Sequence, residues 1–272
     1  MAVGSIGRVE TYLSQRIGRP RLVALVDPDS QNPNESADLA LAAAYGGAEA
    51  IFVGGSTAVG HDIVNATCIA ISEAFELLEW GASQDLNEIS LQRPPIILFP
   101  SASEAISKTA DAILFMSLLN STSRRFIIEE QLAATLTLES LELERLPTGY
   151  IVTEPGGRVG EVGQADLLPR DATEQITSYA SLAAGFGMRL LYVEAGSGAS
   201  APVSSELIQA AKRDDQTLIV GGGIRTAEII QEVAAAQPDW IVIGTLIETC
   251  TSLEQVTEVI QEMCAVLQSS SS

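Results

Sequence analysis

Residues 188–225, MRLLYVEAGSGASAPVSSELIQAAKRDDQTLIVGGGIR, contain the unit that decides the fold. The run RLLYV (189–193) is apolar without in/out alternation, which is typical of a strand covered on both faces. It ends in Glu194 and a Gly-Ser-Gly turn, and a helix-like segment at 204–213 follows. The next apolar run, TLIV (217–220), leads into three glycines. This order predicts two parallel strands joined by a crossover helix.

The same unit recurs along the chain. Short apolar runs occur at 22–26, 50–53, 95–99, 112–115, 149–152, 189–193, 217–220 and 240–243. Helix-like stretches, many with apolar residues three and four apart, occur at 35–46, 62–81, 124–144, 172–187, 204–213, 226–236 and 252–267. Eight strands alternating with helices predict a (β/α)8 TIM barrel, with residues 1–268 as a single domain and 269–272 as a flexible serine tail.

A doubly wound open sheet is the alternative fold. Its dinucleotide-binding form needs a Gly-x-Gly-x-x-Gly turn after the first strand, and this chain has DPDSQNPNES there. Two connections depart from a regular barrel. Residues 81–94 form a long polar stretch, and residues 100–111 are too few for more than a short helix, so the connection after the third strand is expected to be shortened or irregular.

The composition excludes several classes of partner. The net charge is −20 and the pI is about 4.3, which disfavours nucleic acid and anionic membrane surfaces. Only two lysines accompany many acidic residues, a composition that also suits high salt. No apolar run approaches the ~20 residues of a membrane span, and the N-terminus lacks the apolar core of a signal peptide. We therefore expect a cytoplasmic protein.

The thiols and the single imidazole offer little chemistry. Cys68, Cys250 and Cys264 are widely spaced and form no metal-binding motif, so we expect reduced thiols. His61 lies at a predicted helix start, where capping or a surface role is expected. Without a plausible Ser-His or Cys-His pair, carboxylates remain as the groups that handle protons.

Gly-rich loops follow the last three predicted strands, at 194–198, 221–225 and 244–245. In a barrel the carboxyl ends of the strands meet on one rim, where Gly-rich turns after the seventh and eighth strands commonly bind phosphate through backbone N–H groups. These loops therefore predict a phosphate site that needs few lysines. The alternative is that the glycines serve only to make tight turns.

Three carboxylates are candidate site residues. Asp27 and Asp29 flank a proline after the first strand, and two carboxylates on a rim suit Mg²⁺; alternatively, Asp29 and Ser30 cap a turn or helix. Glu194 ends an apolar strand, and an ionised carboxylate there is costly unless something pairs with it or uses it.

Taken together, the loops resemble the family of geranylgeranylglyceryl phosphate synthases and their heptaprenylglyceryl phosphate relatives. The matching motifs span residues 22–248 in family order; they are LVDPD, IFVGGST, LFPS, GYIVTEPGGRVG, YVEAGSGA, VGGGIR and IVIGT followed by LIE. The combination of YVEAGSGA with VGGGIR is specific, whereas VGGGIR alone occurs in many phosphate-binding barrels.

The resemblance implies a Mg²⁺-dependent prenyltransferase that joins a polyprenyl diphosphate, geranylgeranyl being favoured, to the C3 hydroxyl of sn-glycerol 1-phosphate. It assigns Asp27 and Ser56 to the metal and Glu194 to the base. It assigns the glycerol phosphate site to Tyr192, Val193, Glu194, Ala195, Gly196, Ser197, Gly198, Gly222, Gly223, Gly244 and Thr245. It also implies a homo-oligomer.

Two positions depart from the family pattern. Ser30 stands where the family often has a basic residue that could help to bind the diphosphate, so either another arginine compensates for it or no residue does. Thr245 stands where the family often has asparagine, and its hydroxyl can still donate a hydrogen bond. An apolar trough for the prenyl tail is expected from residues near the rim, namely Phe99, Phe115, Met116, Leu118 and Leu119.

Two other functions stay open at this point. One is another phosphate-binding barrel enzyme, such as a sugar-phosphate isomerase or an aldolase, although neither Lys108 nor Lys212 lies at a strand end to form a Schiff base. The other is a protein that binds glycerol phosphate without catalysis, which the presence of both Asp27 and Glu194 disfavours.

Overall fold

The computed structural model describes residues 6–55, 60–84 and 93–269. Within them, eight parallel strands pair in chain order and close into a barrel through contacts between the first and last strands, which confirms the predicted (β/α)8 fold. The strands are β1 (Arg21–Val26), β2 (Ala50–Gly54), β3 (Ile96–Phe99), β4 (Ala112–Leu118), β5 (Glu144–Val152), β6 (Leu190–Glu194), β7 (Thr217–Gly221) and β8 (Trp240–Ile243).

The helices surround the barrel, and most follow the predicted segments. They are α1 (Arg8–Leu13), α2 (Pro33–Gly46), α3 (His61–Gln84), α4 (Glu130–Ser140), α5 (Gly157–Val162), α6 (Thr173–Gly185), α7 (Ser205–Ala211), α8 (Ala227–Ala235), α9 (Thr245–Glu248) and α10 (Leu253–Ser269). The short helices α1, α5 and α9 were not predicted, because each has too few residues to show an apolar periodicity. The last helix includes Ser269, the first residue of the expected tail.

Local sequence explains where α2 begins and ends. Asn32 accepts hydrogen bonds from the backbone of Asn34 and Glu35, while the Glu35 side chain accepts one from the Asn32 backbone, forming a capping box. The left-handed residue that ends α2 is Gly47, with φ 105°, one position after Gly46, where the predicted helix segment ends.

The apolar side chains form two layers. One cluster fills the barrel interior, where Phe52, Phe99, Tyr150 and Tyr192 lie with ring centroids 5.2–6.5 Å apart. The other cluster lies between the strands and the surrounding helices. Because each strand contributes residues to both layers in turn, the runs are apolar throughout and show no alternation in the sequence.

The connection after β3 is the irregular one, as predicted. Residues 100–111 form turns without a helix, so no helix from this connection covers the outside of the barrel beside β4. The next connection begins with a wide π-helical turn, Arg125–Glu129, which leads into α4. The hydroxyl of Ser117 donates to the carbonyl of Ile127 at 2.6 Å and holds this turn against β4.

The N-terminal helix α1 closes the bottom of the barrel. The carbonyl of Leu13 accepts a 2.8 Å hydrogen bond from the indole N–H of the fully buried Trp240. The guanidinium of Arg21 lies 4.1 Å from the ring centroid of Tyr12 and 4.0 Å from that of Trp240. These contacts make this end a packed surface, so the cavity described next opens at the other end.

Candidate active site

Glu194 ends β6 and its side chain points into the barrel mouth, where it is 6% exposed. The hydroxyl of Tyr150, on the neighbouring strand β5, donates a hydrogen bond to its carboxylate. Burial raises the pKa of Glu194 to about 7, and the hydrogen bond from Tyr150 opposes that rise. A carboxyl group with a pKa near neutrality can accept or release a proton at physiological pH.

Aromatic side chains form the floor under Glu194. Tyr192 lies two residues earlier on the same face of β6, and its ring contacts those of Tyr150 and Phe99 at centroid distances of 5.2 and 5.5 Å. Burial and the nearby Glu194 charge raise the pKa of both tyrosines well above the ordinary value, which keeps their hydroxyls protonated. The floor therefore excludes water beneath the carboxylate while offering it an O–H donor.

The predicted acceptor loop at 192–198 divides into two sets. The side chains of Val193 and Ala195 lie in the core between barrel and helices, so only their backbone atoms are available to a ligand. Glu194 and Ser197 line the cavity, and Gly198 is exposed beside Ser197. The alternation of a strand explains this division, since successive residues face opposite sides of the sheet.

The Gly-rich loops after β5, β6 and β7 are packed against one another. Gly222 has φ 82°, and a Cβ there would lie 2.6 Å from the backbone nitrogen of Gly196. A side chain at position 222 would therefore push apart the loops after β6 and β7 before it reached a ligand. Gly223 is similarly confined against the backbone of Ala201. These glycines are needed to bring the loops together, as well as to expose backbone N–H groups.

The loop after β8 completes the rim. Gly244 lines the same cavity as Glu194, and Thr245 begins the short helix α9 directly after it. All predicted ligand loops within the described residues therefore meet at the carboxyl end of the barrel, as the fold requires.

Asp27 lies at the edge of this cavity after β1, half-buried, and its carboxylate accepts a 3.0 Å hydrogen bond from the backbone of Asp29. A Cβ at Gly55 would lie 2.3 Å from the Asp27 carboxylate, so only glycine leaves room for it. Ser56, the other predicted metal ligand, lies outside the described residues. Asp29 is exposed, and its backbone N–H is the donor to Asp27. The cap of α2 is Asn32, so neither Asp29 nor Ser30 has the helix-capping role that was the alternative.

A second carboxylate faces Asp27 and was missed in the sequence. Glu248, the last residue of α9, lines the same cavity. Although its side chain is largely exposed, partial desolvation of the carboxyl raises its pKa, and the charge of Asp27 adds to that rise. Burial likewise raises the pKa of Asp27. The only signal in the sequence was an acidic residue one helical turn after Gly244.

Asn120 was also missed, although its role is structural. Its side-chain amide donates to the carbonyls of Val152 and Asp166 at 2.8 Å each, and its oxygen accepts a 3.1 Å bond from the Val152 backbone. These bonds join the end of β4 to the end of β5, two residues from Tyr150. They fix the strand that presents the Tyr150 hydroxyl to Glu194.

The cavity itself has an empty volume of about 1130 Å³, part of it open to solvent. One end is polar and includes Asp27, Gly244 and Glu248, with Glu194 at its base. The other end runs over the β3 rim and continues outside the barrel wall, between β4 and α4. Apolar side chains line this trough, namely Phe99, Ile113, Phe115, Met116, Leu118, Phe126, Ala134, Leu138, Val159 and Val162.

Four of the five predicted trough residues line it, whereas Leu119 packs in the outer core instead. The trough exists because no helix follows β3. Only α4 covers this side of the barrel, and part of the space that a helix after β3 would fill stays open. The carboxylate of Glu130 on α4 accepts a 2.7 Å bond from the backbone of Ser103, which ties the two walls together at the rim.

A comparison with known protein families identifies this arrangement. The model of the PcrB family matches residues 15–264, which is nearly the whole chain. The chain belongs to the PcrB family. This confirms the resemblance that the sequence motifs indicated, because relatives similar over nearly the whole chain carry the name geranylgeranylglyceryl phosphate synthase.

Among these relatives, the geranylgeranylglyceryl phosphate synthase of Methanothermobacter thermautotrophicus is 40% identical over 262 residues, 95% of this chain and 100% of the relative. The enzyme of the same name from Thermococcus kodakarensis is 40% identical over 260 residues, 95% of this chain and 96% of the relative. These relatives show that this chain is an enzyme of the PcrB family.

Solved structures similar to this chain support its place in the family. The crystal structure of (S)-3-O-geranylgeranylglyceryl phosphate synthase from Thermoplasma acidophilum in complex with its substrate sn-glycerol-1-phosphate has a TM-score of 0.84 and 34% identity, covering 97% of this chain and all of that one. Thiamine phosphate pyrophosphorylase from Pyrococcus furiosus, at 12% identity and a TM-score of 0.54, shares the fold alone.

None of the helices in the described residues has the length and apolarity needed to cross a bilayer.

Proposed function

We propose that this PcrB-family protein is a prenyltransferase that joins a polyprenyl diphosphate, geranylgeranyl being favoured, to the C3 hydroxyl of sn-glycerol 1-phosphate. The observation that carries the proposal is the position of Glu194. This carboxylate, with a pKa of about 7, lies at the junction of the Gly-rich loops and the apolar trough. A phosphate-bearing acceptor and a lipid donor would meet at this point.

The acceptor end is supported by the loops after β6, β7 and β8. Their backbone N–H groups can hold a phosphate without a lysine, which suits a chain with two lysines and a net charge of −20. The similar Thermoplasma acidophilum enzyme is known with sn-glycerol-1-phosphate as its bound substrate. Anchoring the phosphate there would place the other end of the glycerol, with its C3 hydroxyl, towards Glu194.

The donor end is supported by the trough between β4 and α4. Its lining is mainly apolar, and it is continuous with the polar end at Asp27 and Glu248. A polyprenyl diphosphate has the same polarity along its length, because a charged head is attached to a hydrocarbon tail. Burial of the tail contributes about 0.8 kcal/mol for each CH₂ removed from water.

The polar end also fits Mg²⁺, which prefers oxygen ligands and usually shares one or two carboxylates with substrate phosphates. We propose that Asp27, with Glu248 opposite it and with Ser56, holds this ion. The described residues contain no cluster of three or more His, Cys, Asp or Glu that would form an all-protein site, so the remaining ligands would come from substrate and water. When bound, Mg²⁺ would neutralise the charge that develops on the leaving diphosphate.

The reaction forms a bond between the C3 oxygen of the glycerol and C1 of the prenyl group, while the bond from C1 to the diphosphate oxygen breaks. The electron pair of that bond leaves with pyrophosphate. The proton of the C3 hydroxyl passes to Glu194, which must be ionised to accept it. The Tyr150 hydroxyl orients the carboxylate and stabilises its charge, and the aromatic floor keeps water from competing as the nucleophile.

The proposal also includes the localisation and the oligomeric state of the enzyme. A cytoplasmic homo-oligomer remains the expectation, and size-exclusion chromatography with light scattering tests the oligomeric part. The decisive experiment for function is incubation with sn-glycerol 1-phosphate, Mg²⁺ and prenyl diphosphates of increasing length, with products identified by mass spectrometry. We expect a prenylglyceryl phosphate that disappears when Mg²⁺ is chelated. If the protein turns over none of these donors, the proposal is wrong.

A further inference from the structure

The arginines of this chain form two groups, those that make an ion pair with a carboxylate and those that do not. Ten of the thirteen form ion pairs with carboxylates, including both arginines at the start of the β4–α4 connection. The other three, Arg158, Arg170 and Arg225, have no ion-pair partner among the described residues. All three follow β5 or β7 on the rim that carries the cavity.

Two of these three arginines are nevertheless hydrogen-bonded to the protein. Arg170 donates to the carbonyl of Pro202 at 2.7 Å, and Arg225 donates to the carbonyl of Gly198. Both bonds join neighbouring rim loops, which is a structural role. Within the part of the chain that the structure describes, Arg158 donates to no protein acceptor, so its guanidinium is available to a ligand.

The position of Arg158 is fixed by the short helix α5. At the start of this helix, a Cβ on Gly157 would lie 2.8 Å from the carbonyl oxygen of Ser197, so α5 is packed against the β6 loop. Val159 and Val162 of the same helix line the trough. Arg158 is exposed and directly precedes Val159 in α5, so it lies at the edge of the cavity lining, between the acceptor loops and the trough.

The charge of Arg158 also reaches the polar end of the cavity. Asp27 follows β1 and Arg158 follows β5, so the two side chains lie on opposite sides of the mouth. Burial raises the pKa of Asp27, and the positive charge of Arg158 opposes that rise, so the two charges interact across the mouth. This end otherwise contains the carboxylates Asp27 and Glu248. A diphosphate entering such surroundings would meet like charges, which a single divalent cation offsets only in part.

We propose that Arg158 binds the diphosphate of the prenyl donor at the cavity mouth, across from the carboxylate of Asp27. This inference rests on the function proposed above and assigns a residue to its donor site. The planar guanidinium can donate two parallel hydrogen bonds to phosphate oxygens, which a lysine cannot reproduce. Charge-assisted contacts of this kind typically change affinity by about tenfold or more.

The test compares R158Q with R8Q in the full-length protein. Arg8 is 84% exposed on α1 at the opposite end of the barrel, so its replacement changes the net charge equally without touching the cavity. Binding of pyrophosphate in the presence of Mg²⁺ is measured by calorimetry, and kcat and KM are measured for each substrate. We expect R158Q to weaken pyrophosphate binding and raise the donor KM about tenfold, with the acceptor KM unchanged, and R8Q to match wild type.

Several outcomes would overturn the assignment. Unchanged pyrophosphate affinity in R158Q, an equal loss in R8Q, or full rescue by R158K would each exclude a specific bidentate contact; R158K is expected to be intermediate. A loss in R225Q but not in R158Q would move the contact to the β7 loop. Because pyrophosphate binding is measured without turnover, an inactive wild-type protein would refute the prenyltransferase function separately, while the binding comparison would still test Arg158.

Discussion

Glu10 and Glu144, at the N-terminal end of the barrel, are buried, and each carboxylate accepts two hydrogen bonds. At the C-terminal end, Glu194 is buried and Asp27 is half-buried, and each carboxylate accepts one. Arg189 forms an ion pair with Glu10, and the backbone N–H groups of Val9 and Glu10 donate to Glu144 at 3.0 and 2.8 Å. At the other end, burial raises the pKa of both Glu194 and Asp27.

This difference between the carboxylates shows what each end of the barrel contributes to stability and to activity. Carboxylates that are paired on burial stabilise the fold, because their desolvation is offset by hydrogen bonds. Carboxylates whose pKa is raised by burial destabilise the fold at neutral pH but are suited to proton transfer or metal binding. We therefore expect substitutions at the C-terminal end to reduce activity without reducing stability, and substitutions at the N-terminal end to do the opposite.

The largest expected effect is that of E194Q on kcat. Gln keeps the shape and can still accept the Tyr150 hydrogen bond, but it cannot take the acceptor proton. General base catalysis contributes ~10²–10⁴-fold, so kcat should fall by about that factor while the KM for glycerol phosphate changes little. If kcat holds and only KM rises, Glu194 binds a substrate hydroxyl and is not the base. Ionisation of the prenyl carbon ahead of attack would reduce the effect.

D27N should reduce turnover by about 10²–10³-fold, because metal ions contribute several kcal/mol of charge stabilisation. Glycerol phosphate binding should remain close to wild type, since Asp27 lies at the donor end of the cavity. Turnover is measured over a Mg²⁺ titration, and acceptor binding is measured directly by calorimetry. Wild-type rates for D27N at limiting Mg²⁺ would show that Asp27 does not hold the metal.

E194Q should also be more stable than wild type, by an amount that grows with pH. The folded-state pKa of about 7 lies above the ordinary 4.5, so the folded protein holds a proton that the unfolded chain releases. Wild type therefore loses stability as pH rises from 4.5 to 7, and Gln removes this loss. The difference in unfolding free energy should be about 1 kcal/mol at pH 5 and about 3 kcal/mol at pH 8. Urea denaturation at the two pH values measures it, and a pH-independent difference would contradict it.

At pH 8, E144A should have the smallest effect, and it should lower the unfolding free energy where E194Q raises it. Loss of the carboxylate leaves the N–H groups of Val9 and Glu10 without their acceptor, which should cost about 2 kcal/mol of unfolding free energy. Because these residues lie at the closed end of the barrel, kcat and KM should match wild type at temperatures where the protein is folded. A reduced kcat in a fully folded variant would show that the two ends are coupled.

Much of the fold could be predicted because the barrel repeats one local pattern. Each strand is apolar on both faces, and each rim loop follows a strand directly, so Asp27, Glu194 and Gly222 could be placed on one rim from the sequence. The unpredicted helices α1, α5 and α9 have at most six residues each. Their positions depend on contacts with distant strands and not on their own periodicity.

The sequence by itself determined the order of strands and helices, the rim loops and the carboxylate that ends β6, because these follow from polarity over a few neighbouring residues. Only the tertiary structure decided which groups meet. Tyr150 reaches Glu194 from another strand, Glu248 faces Asp27 across the β8–β1 junction where the barrel closes, and Arg158 is brought to the mouth by α5. Burial and charge at these sites depend on partners that are distant in sequence, so the raised pKa of Glu194 arises only when the barrel is closed and packed.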